Sequence, residues 1–108
     1  MKRVLLDENV PRGLRRLLPQ FHIRTVQEEA WAGAKNGNLL RSASGTFDVL
    51  LTVDQRMRFQ QNISSFSIGV VVIEAYDTTL PNLERYLAEI TAAVNAVRPG
   101  ALLVVSTA

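Results

Sequence analysis

Apolar and polar residues alternate in blocks along this chain, and the blocks have the lengths of strands and helices. Short apolar or alternating runs predict β-strands at residues 4–6, 22–26, 47–53, 67–73 and 101–105. Between them, apolar residues at spacings of three and four predict helices after Pro11, at 35–44 and at 79–97, and residues 55–61 predict a helical turn. The predicted order is therefore β-α-β-α-β-(α)-β-α-β.

The long helix at 79–97 is the strongest of these predictions. Pro81 stands near its start, and Pro99 and Gly100 follow its end, as is typical of helix boundaries. Its apolar positions are Leu80, Leu83, Leu87, Ile90, Val94 and Val97.

Strands that are apolar throughout and alternate with helices favour a parallel sheet covered by helices on both faces. The length of 108 residues, 47% of them hydrophobic, predicts one α/β domain over residues 1–108. The chain has no cysteine, which excludes disulfide scaffolds, zinc knuckles and thiol nucleophiles. The longest apolar stretch, at 68–73, is far shorter than a membrane helix. We therefore expect a cytoplasmic protein that does not enter a membrane.

Acidic residues follow three of the predicted strands. Asp7 and Glu8 follow the first, Asp54 the third and Glu74 the fourth. Because ligands bind beyond the carboxyl ends of parallel strands, Asp7 and Asp54 are expected to converge at one edge of the sheet. Carboxylates brought together favour a bound cation, and hard oxygen ligands suit Mg²⁺ or Mn²⁺. The simpler interpretation is that these acids cap the helices that follow them.

Other catalytic patterns are missing from the chain. His22, its only histidine, has no accompanying G-x-S-x-G motif, and neither a P-loop nor a G-x-G-x-x-G sequence is present.

The basic residues, nearly all arginine, exceed the acidic ones by 12 to 10, which is too small a margin to indicate nucleic-acid binding. Their positions say more. Arg12 and Arg15 lie on one face of the first predicted helix, beside the acidic turn, and Arg56 and Arg58 flank Asp54. Arginines beside a metal–carboxylate site suit a phosphodiester substrate, although each could also be a solvated surface residue.

Three segments together resemble the small PIN-like nuclease-fold family, which is often the toxin half of a toxin–antitoxin pair. They are residues 5–11 (LLDENVP), 31–40 (WAGAKNGNLL) and 47–54 (FDVLLTVD), and residues 60–62 (QQN) also look like one subgroup. The resemblance implies a parallel α/β fold in which clustered acids bind Mg²⁺ or Mn²⁺ and RNA phosphodiester bonds are hydrolysed. Carried over by position, Asp7 and Asp54 would be catalytic. An antitoxin protein would be a partner, and a homodimer stays open.

One departure from the family pattern concerns the middle helix, where an acid is usual and this chain has Asn38. A neutral amide can ligate Mg²⁺ but adds no charge, so metal affinity and water activation should be weaker unless Glu8 or Glu74 substitutes. A binding module that has lost catalysis is therefore one alternative. A receiver-type phosphoacceptor domain is another, but it needs a lysine after the last strand, where this chain has Ser106 and Thr107.

Overall fold

The computed structural model describes residues 1–60 and 62–107, and five of its segments are strands of one sheet. The strands are β1 (Arg3–Leu6), β2 (His22–Thr25), β3 (Val49–Thr52), β4 (Gly69–Glu74) and β5 (Leu102–Ser106). They lie in the order β2-β1-β3-β4-β5, and every neighbouring pair is parallel. The predicted parallel α/β architecture is confirmed.

The helices are short. They are α1 (Leu14–Leu17), α2 (Asn36–Ala43), α3 (Leu80–Glu84) and α4 (Leu87–Ala96), with 3₁₀ helices at Gln55–Phe59 and Ile63–Ser65. The turn predicted at 55–61 is thus a 3₁₀ helix, and Gln61 lies outside the described residues. No helix in the described ranges is long and apolar enough to cross a membrane.

The prediction of one continuous helix at 79–97 is wrong, because the segment breaks at Arg85 and Tyr86. Tyr86 leaves the helical conformation, with φ −118° and ψ 22°, and its hydroxyl donates a 3.0 Å hydrogen bond to the carbonyl of Thr107 beyond β5. The two pieces also have different neighbours, since α3 packs against α1 whereas α4 packs against β4 and β5. Apolar spacing identified the buried side of the segment but not this change of neighbour.

Helices cover both faces of the sheet, as expected. Since successive strand residues point to opposite faces, Leu6 packs in one apolar cluster with Leu14 of α1 and Ile90 of α4, and Leu5 packs in the other with Leu40 of α2. All four residues of β3 are buried. The centre of the sheet is therefore enclosed, and polar side chains can meet a ligand only at its edges and ends.

Candidate functional site

The site begins where strand order reverses, between β1 and β3. These strands are direct neighbours with Leu6 opposite Leu51, and the backbone N–H of Asp7 donates to the carbonyl of Leu51 at 3.0 Å. In doubly wound α/β sheets the crevice at such a reversal, beyond the carboxyl ends of the strands, is the usual ligand site. Because β1 and β3 pair in parallel, Asp7 and the residues after β3 lie at the same edge of the sheet, as the sequence predicts.

Thr52, the last residue of β3, connects the two acidic residues. Its fully buried hydroxyl donates to Oδ2 of Asp7 at 2.7 Å and accepts from the backbone N–H of Asp54 at 3.0 Å. The other carboxylate oxygen of Asp7, Oδ1, accepts from the N–H of Glu8 at 2.9 Å. One hydroxyl thus holds the first acid and the backbone of the second in fixed relation.

Asp54 caps the 3₁₀ helix Gln55–Phe59 and forms an ion pair with Arg56. Its Oδ1 accepts from the backbone N–H of Arg56 at 2.9 Å, and the guanidinium donates to Oδ1 and Oδ2 at 3.0 and 3.1 Å. These contacts lower the pKa of Asp54, with the Arg56 side chain as the main cause and a hydrogen bond from Asn36 as a smaller one. The interpretation of Asp54 as a helix cap is therefore correct, but capping leaves room for a second role.

Arg56 supplies the positive charge that balances the acids. Its pKa is raised, mainly by Asp54 and to a smaller extent by the charge of Asp7. The Arg56 side chain is 87% exposed whereas that of Asp54 is 15% exposed. The carboxylate is consequently held in place by the protein, while the guanidinium can leave it at little cost in packing.

A cleft of about 460 Å³ opens above these residues. One wall is the loop before α2, which is held in place by two contacts. The ring of Trp31 packs edge-on against that of Phe47, with 6.2 Å between the ring centroids. The N–H of Gly33 donates to Oε1 of Glu8 at 3.1 Å. The side chains and backbone lining the cleft belong to Asp7, Glu8, Asn9, Gly33, Ala34, Lys35, Asn36, Gly37, Asp54, Arg56 and Gln60. Three carboxylates and two cations therefore line one small cleft.

Asn38, expected as a metal ligand, lies outside this cleft. It is exposed on α2, where its Oδ1 accepts from Arg41 at 2.9 Å. Asn36 lines the cleft instead. Two residues along a helix turn the side chain by about 200°, so only one of the two asparagines can face the acids. Helical spacing was the available signal, since Asn36 lies three and four residues before Leu39 and Leu40, which are buried positions of α2.

Three of the four predicted substrate-binding arginines lie elsewhere. Arg12 and Arg15 line a separate depression, and Arg15 forms an ion pair with Glu28. Arg58 forms an ion pair with Glu74 at 2.6 Å in a second cavity. Only Arg56 lines the acidic cleft. The prediction that Arg12 and Arg15 share one helix face is wrong, because α1 begins at Leu14 and Arg12 precedes it. Spacing could not reveal Glu28, the partner of Arg15, because it comes from the loop after β2.

The donor set fits a hard divalent cation with few protein ligands. No three His, Cys, Asp or Glu side chains within residues 1–60 and 62–107 are grouped so that they could hold a metal ion. Mg²⁺, however, is usually bound by one or two carboxylates together with water and substrate phosphate. Asp7 and Asp54 supply two carboxylates, and Asn36 adds an amide in the same cleft.

Comparisons with known proteins add no relative. No protein-family model matches the chain, and no curated protein or solved structure matches it significantly.

Proposed function

We propose that the protein is a PIN-like nuclease that hydrolyses phosphodiester bonds of RNA and depends on Mg²⁺ or Mn²⁺. One observation carries the proposal: Asp7 and Asp54 line one cleft at the reversal of strand order, where the buried Thr52 links them. The resemblance of the LLDENVP and FDVLLTVD segments to the PIN-like family supports the same reaction.

Asp7 and Asp54 would hold the cation, with Glu8 and Asn36 close enough in the cleft to orient water around it. A divalent cation in such a site lowers the pKa of bound water and offsets negative charge that builds up on a phosphate. Thr52 would keep Asp7 oriented, because its hydroxyl donates to one carboxylate oxygen at 2.7 Å.

Substrate would be held by the two cations of the cleft. Arg56 can make bidentate contacts with a phosphate, and Lys35, which lines the same cleft, adds a point charge. The RNA is expected to be single-stranded or looped, because a small cleft can reach the backbone and bases of unpaired segments.

The same resemblance supports a role as the toxin of a toxin–antitoxin pair, acting in the cytoplasm and neutralised by a partner protein. A homodimer would be compatible with this role. These features rest on the sequence motifs alone.

A binding module without catalysis is the second candidate. It is favoured by the ion pair between Arg56 and Asp54, which satisfies both carboxylate oxygens without a metal, and by the neutral Asn36 where a third acid would strengthen the site. The receiver-type alternative is weaker. Lys2 donates to the carbonyls at the end of α4, and Lys35 lies before α2 rather than after β5.

Mn²⁺ titration by calorimetry, followed by cleavage of a mixed-sequence single-stranded RNA, tests the proposal on wild type and Asp7→Asn. Asparagine can still accept the Thr52 hydrogen bond, so the variant should fold, while metal binding and cleavage should both fall at least tenfold. Asp48→Asn is the matched control, because Asp48 pairs with Arg3 at the opposite end of β3. Cleavage that persists in Asp7→Asn would refute the metal mechanism, and metal binding by wild type without cleavage would favour the binding module.

A further inference from the structure

A second cavity, of about 510 Å³, opens beside the acidic cleft at the carboxyl ends of β3, β4 and β5. The 3₁₀ helix Gln55–Phe59 separates the two spaces: Arg56 lines the acidic cleft, while Gln55 and Arg58 line the second cavity. Its remaining lining residues are Glu74, Ala75, Tyr76 and Thr107. A ligand that occupied both spaces would cross a wall one short helix thick.

Tyr76 presents an unused aromatic ring at this cavity. It follows β4 and is fully exposed, with a relative accessibility of 110%. The ring of Tyr76 is therefore open to solvent and belongs to neither apolar cluster of the core. Exposed aromatic rings beside a nucleic-acid path commonly stack on unpaired bases, because every base has a π-face.

The charges of the cavity favour a neutral group over a phosphate. Arg58 is paired with Glu74 at 2.6 Å, and the other oxygen of Glu74 accepts from the Ser106 hydroxyl at 3.3 Å. The guanidinium is thus already paired with a carboxylate, and Arg58 is the one cation among the residues that line this cavity. A volume of about 510 Å³ lies within the usual range for small-molecule sites, roughly 300–1,000 Å³.

Gln55 lines the cavity with a side chain that is held in place. Its Nε2 donates to the carbonyls of Val53 and Ile73 at 3.1 and 2.8 Å, which fixes the orientation of the amide. Its Oε1 is the one buried side-chain polar atom without a hydrogen-bond partner in the described part of the chain. Because this oxygen is buried, it makes no contact with a base in the cavity, and Gln55 contributes a fixed wall rather than a hydrogen bond.

We propose that this cavity is a nucleobase subsite, which takes an unpaired base next to the phosphate held in the acidic cleft, with Tyr76 stacking on the base. The inference rests on the proposed function as an RNA nuclease and adds where the neighbouring nucleotide binds. It also predicts that RNA binding at this cavity depends on stacking of the base on Tyr76 rather than on contacts with a phosphate.

Fluorescence anisotropy with a labelled single-stranded RNA tests the subsite in the presence of a metal chelator, so that nothing is cleaved. Tyr76→Ala should bind about 5- to 100-fold more weakly than wild type, whereas Tyr76→Phe, which keeps the ring, should bind within about twofold. Phe59→Ala is the matched control, because Phe59 is a second exposed aromatic residue that lines neither cavity. An abasic oligomer of equal length should bind wild type and Tyr76→Ala alike.

Two results would overturn the subsite alone: RNA binding that is unchanged in Tyr76→Ala, or an equal loss for the abasic oligomer. RNA that fails to bind wild type both with the chelator and with Mn²⁺ present would overturn both the subsite and the proposed function.

Discussion

The hydroxyl of Thr52 donates a 2.7 Å hydrogen bond to Oδ2 of Asp7, across 45 positions of sequence. Thr52 is fully buried at the end of a strand that is otherwise apolar, where a hydroxyl without partners would cost free energy. It is satisfied twice, since it also accepts from the N–H of Asp54. The residue that completes β3 therefore also determines how the candidate acids are oriented.

Replacing Thr52 with valine keeps the shape of the side chain and removes this link. The N–H of Asp54 and one oxygen of Asp7 would lose their partner in a part-buried position, so the free energy of unfolding should fall by about 1–3 kcal/mol. RNA cleavage should fall as well, because Asp7 is no longer held. Urea unfolding and a cleavage assay check both effects. Thr52→Ser loses a buried methyl group but keeps the hydroxyl, so its cleavage should stay close to wild type, and equal cleavage by the two variants would contradict this role.

Replacing Arg56 with glutamine should strengthen divalent-metal binding. The guanidinium donates to both oxygens of Asp54 and therefore competes with a cation for them. Removing a repulsion of about 1 kcal/mol should tighten Mn²⁺ binding roughly 3- to 10-fold. Cleavage at saturating metal should nevertheless fall, since Arg56 is the proposed phosphate contact. Calorimetry and single-turnover cleavage separate the two effects.

Arg58→Gln is the control for this prediction, because Arg58 belongs to the same 3₁₀ helix but pairs with Glu74 in the other cavity. It should leave Mn²⁺ affinity unchanged. Equal Mn²⁺ affinity of Arg56→Gln and wild type would show that the Arg56 ion pair does not compete with metal.

The convergence of Asp7 and Asp54 was predictable because it depends only on strand properties. Apolar runs indicate buried parallel strands, and the ends of neighbouring strands meet at one edge of the sheet. That prediction required β1 and β3 to be neighbours in the sheet. They are, with Leu6 opposite Leu51.

The surroundings of the acids could not be predicted in the same way. The family resemblance pointed to Asn38, although Asn36 lies three and four positions before the buried Leu39 and Leu40 and so shares the inward face of α2. Arg15 lies outside the cleft, where it forms an ion pair with Glu28. Glu28 belongs to an irregular loop, whose sequence has no periodicity that could predict the pair. Spacing along the chain shows which residues share a face, but it does not show which neighbour that face meets.

Glu28 gives the fold a pH dependence that can be measured independently of activity. Its Oε1 accepts from the N–H of Thr25 at 2.8 Å, the Thr25 hydroxyl accepts from the N–H of Glu28 at 3.2 Å, and Arg15 pairs with the carboxylate. These two hydrogen bonds have the reciprocal pattern of a capping box, here in the turn after β2. The hydrogen bond from Arg15, followed by that from Thr25, lowers the pKa of Glu28 from 4.5 to about 2.

A lowered pKa means that the charged carboxylate stabilises the fold at pH values above about 4.5, and that this contribution is lost as the pH falls towards about 2. Glu28→Gln should therefore be less stable than wild type at pH 7, and the difference in free energy of unfolding should shrink between these two pH values. Urea unfolding followed by circular dichroism at several pH values measures it. Arg15→Gln removes the largest cause of the shift, so in that background the effect of Glu28→Gln should be smaller. A difference that stays constant from pH 7 to pH 2 would mean that the charge of Glu28 does not contribute to stability.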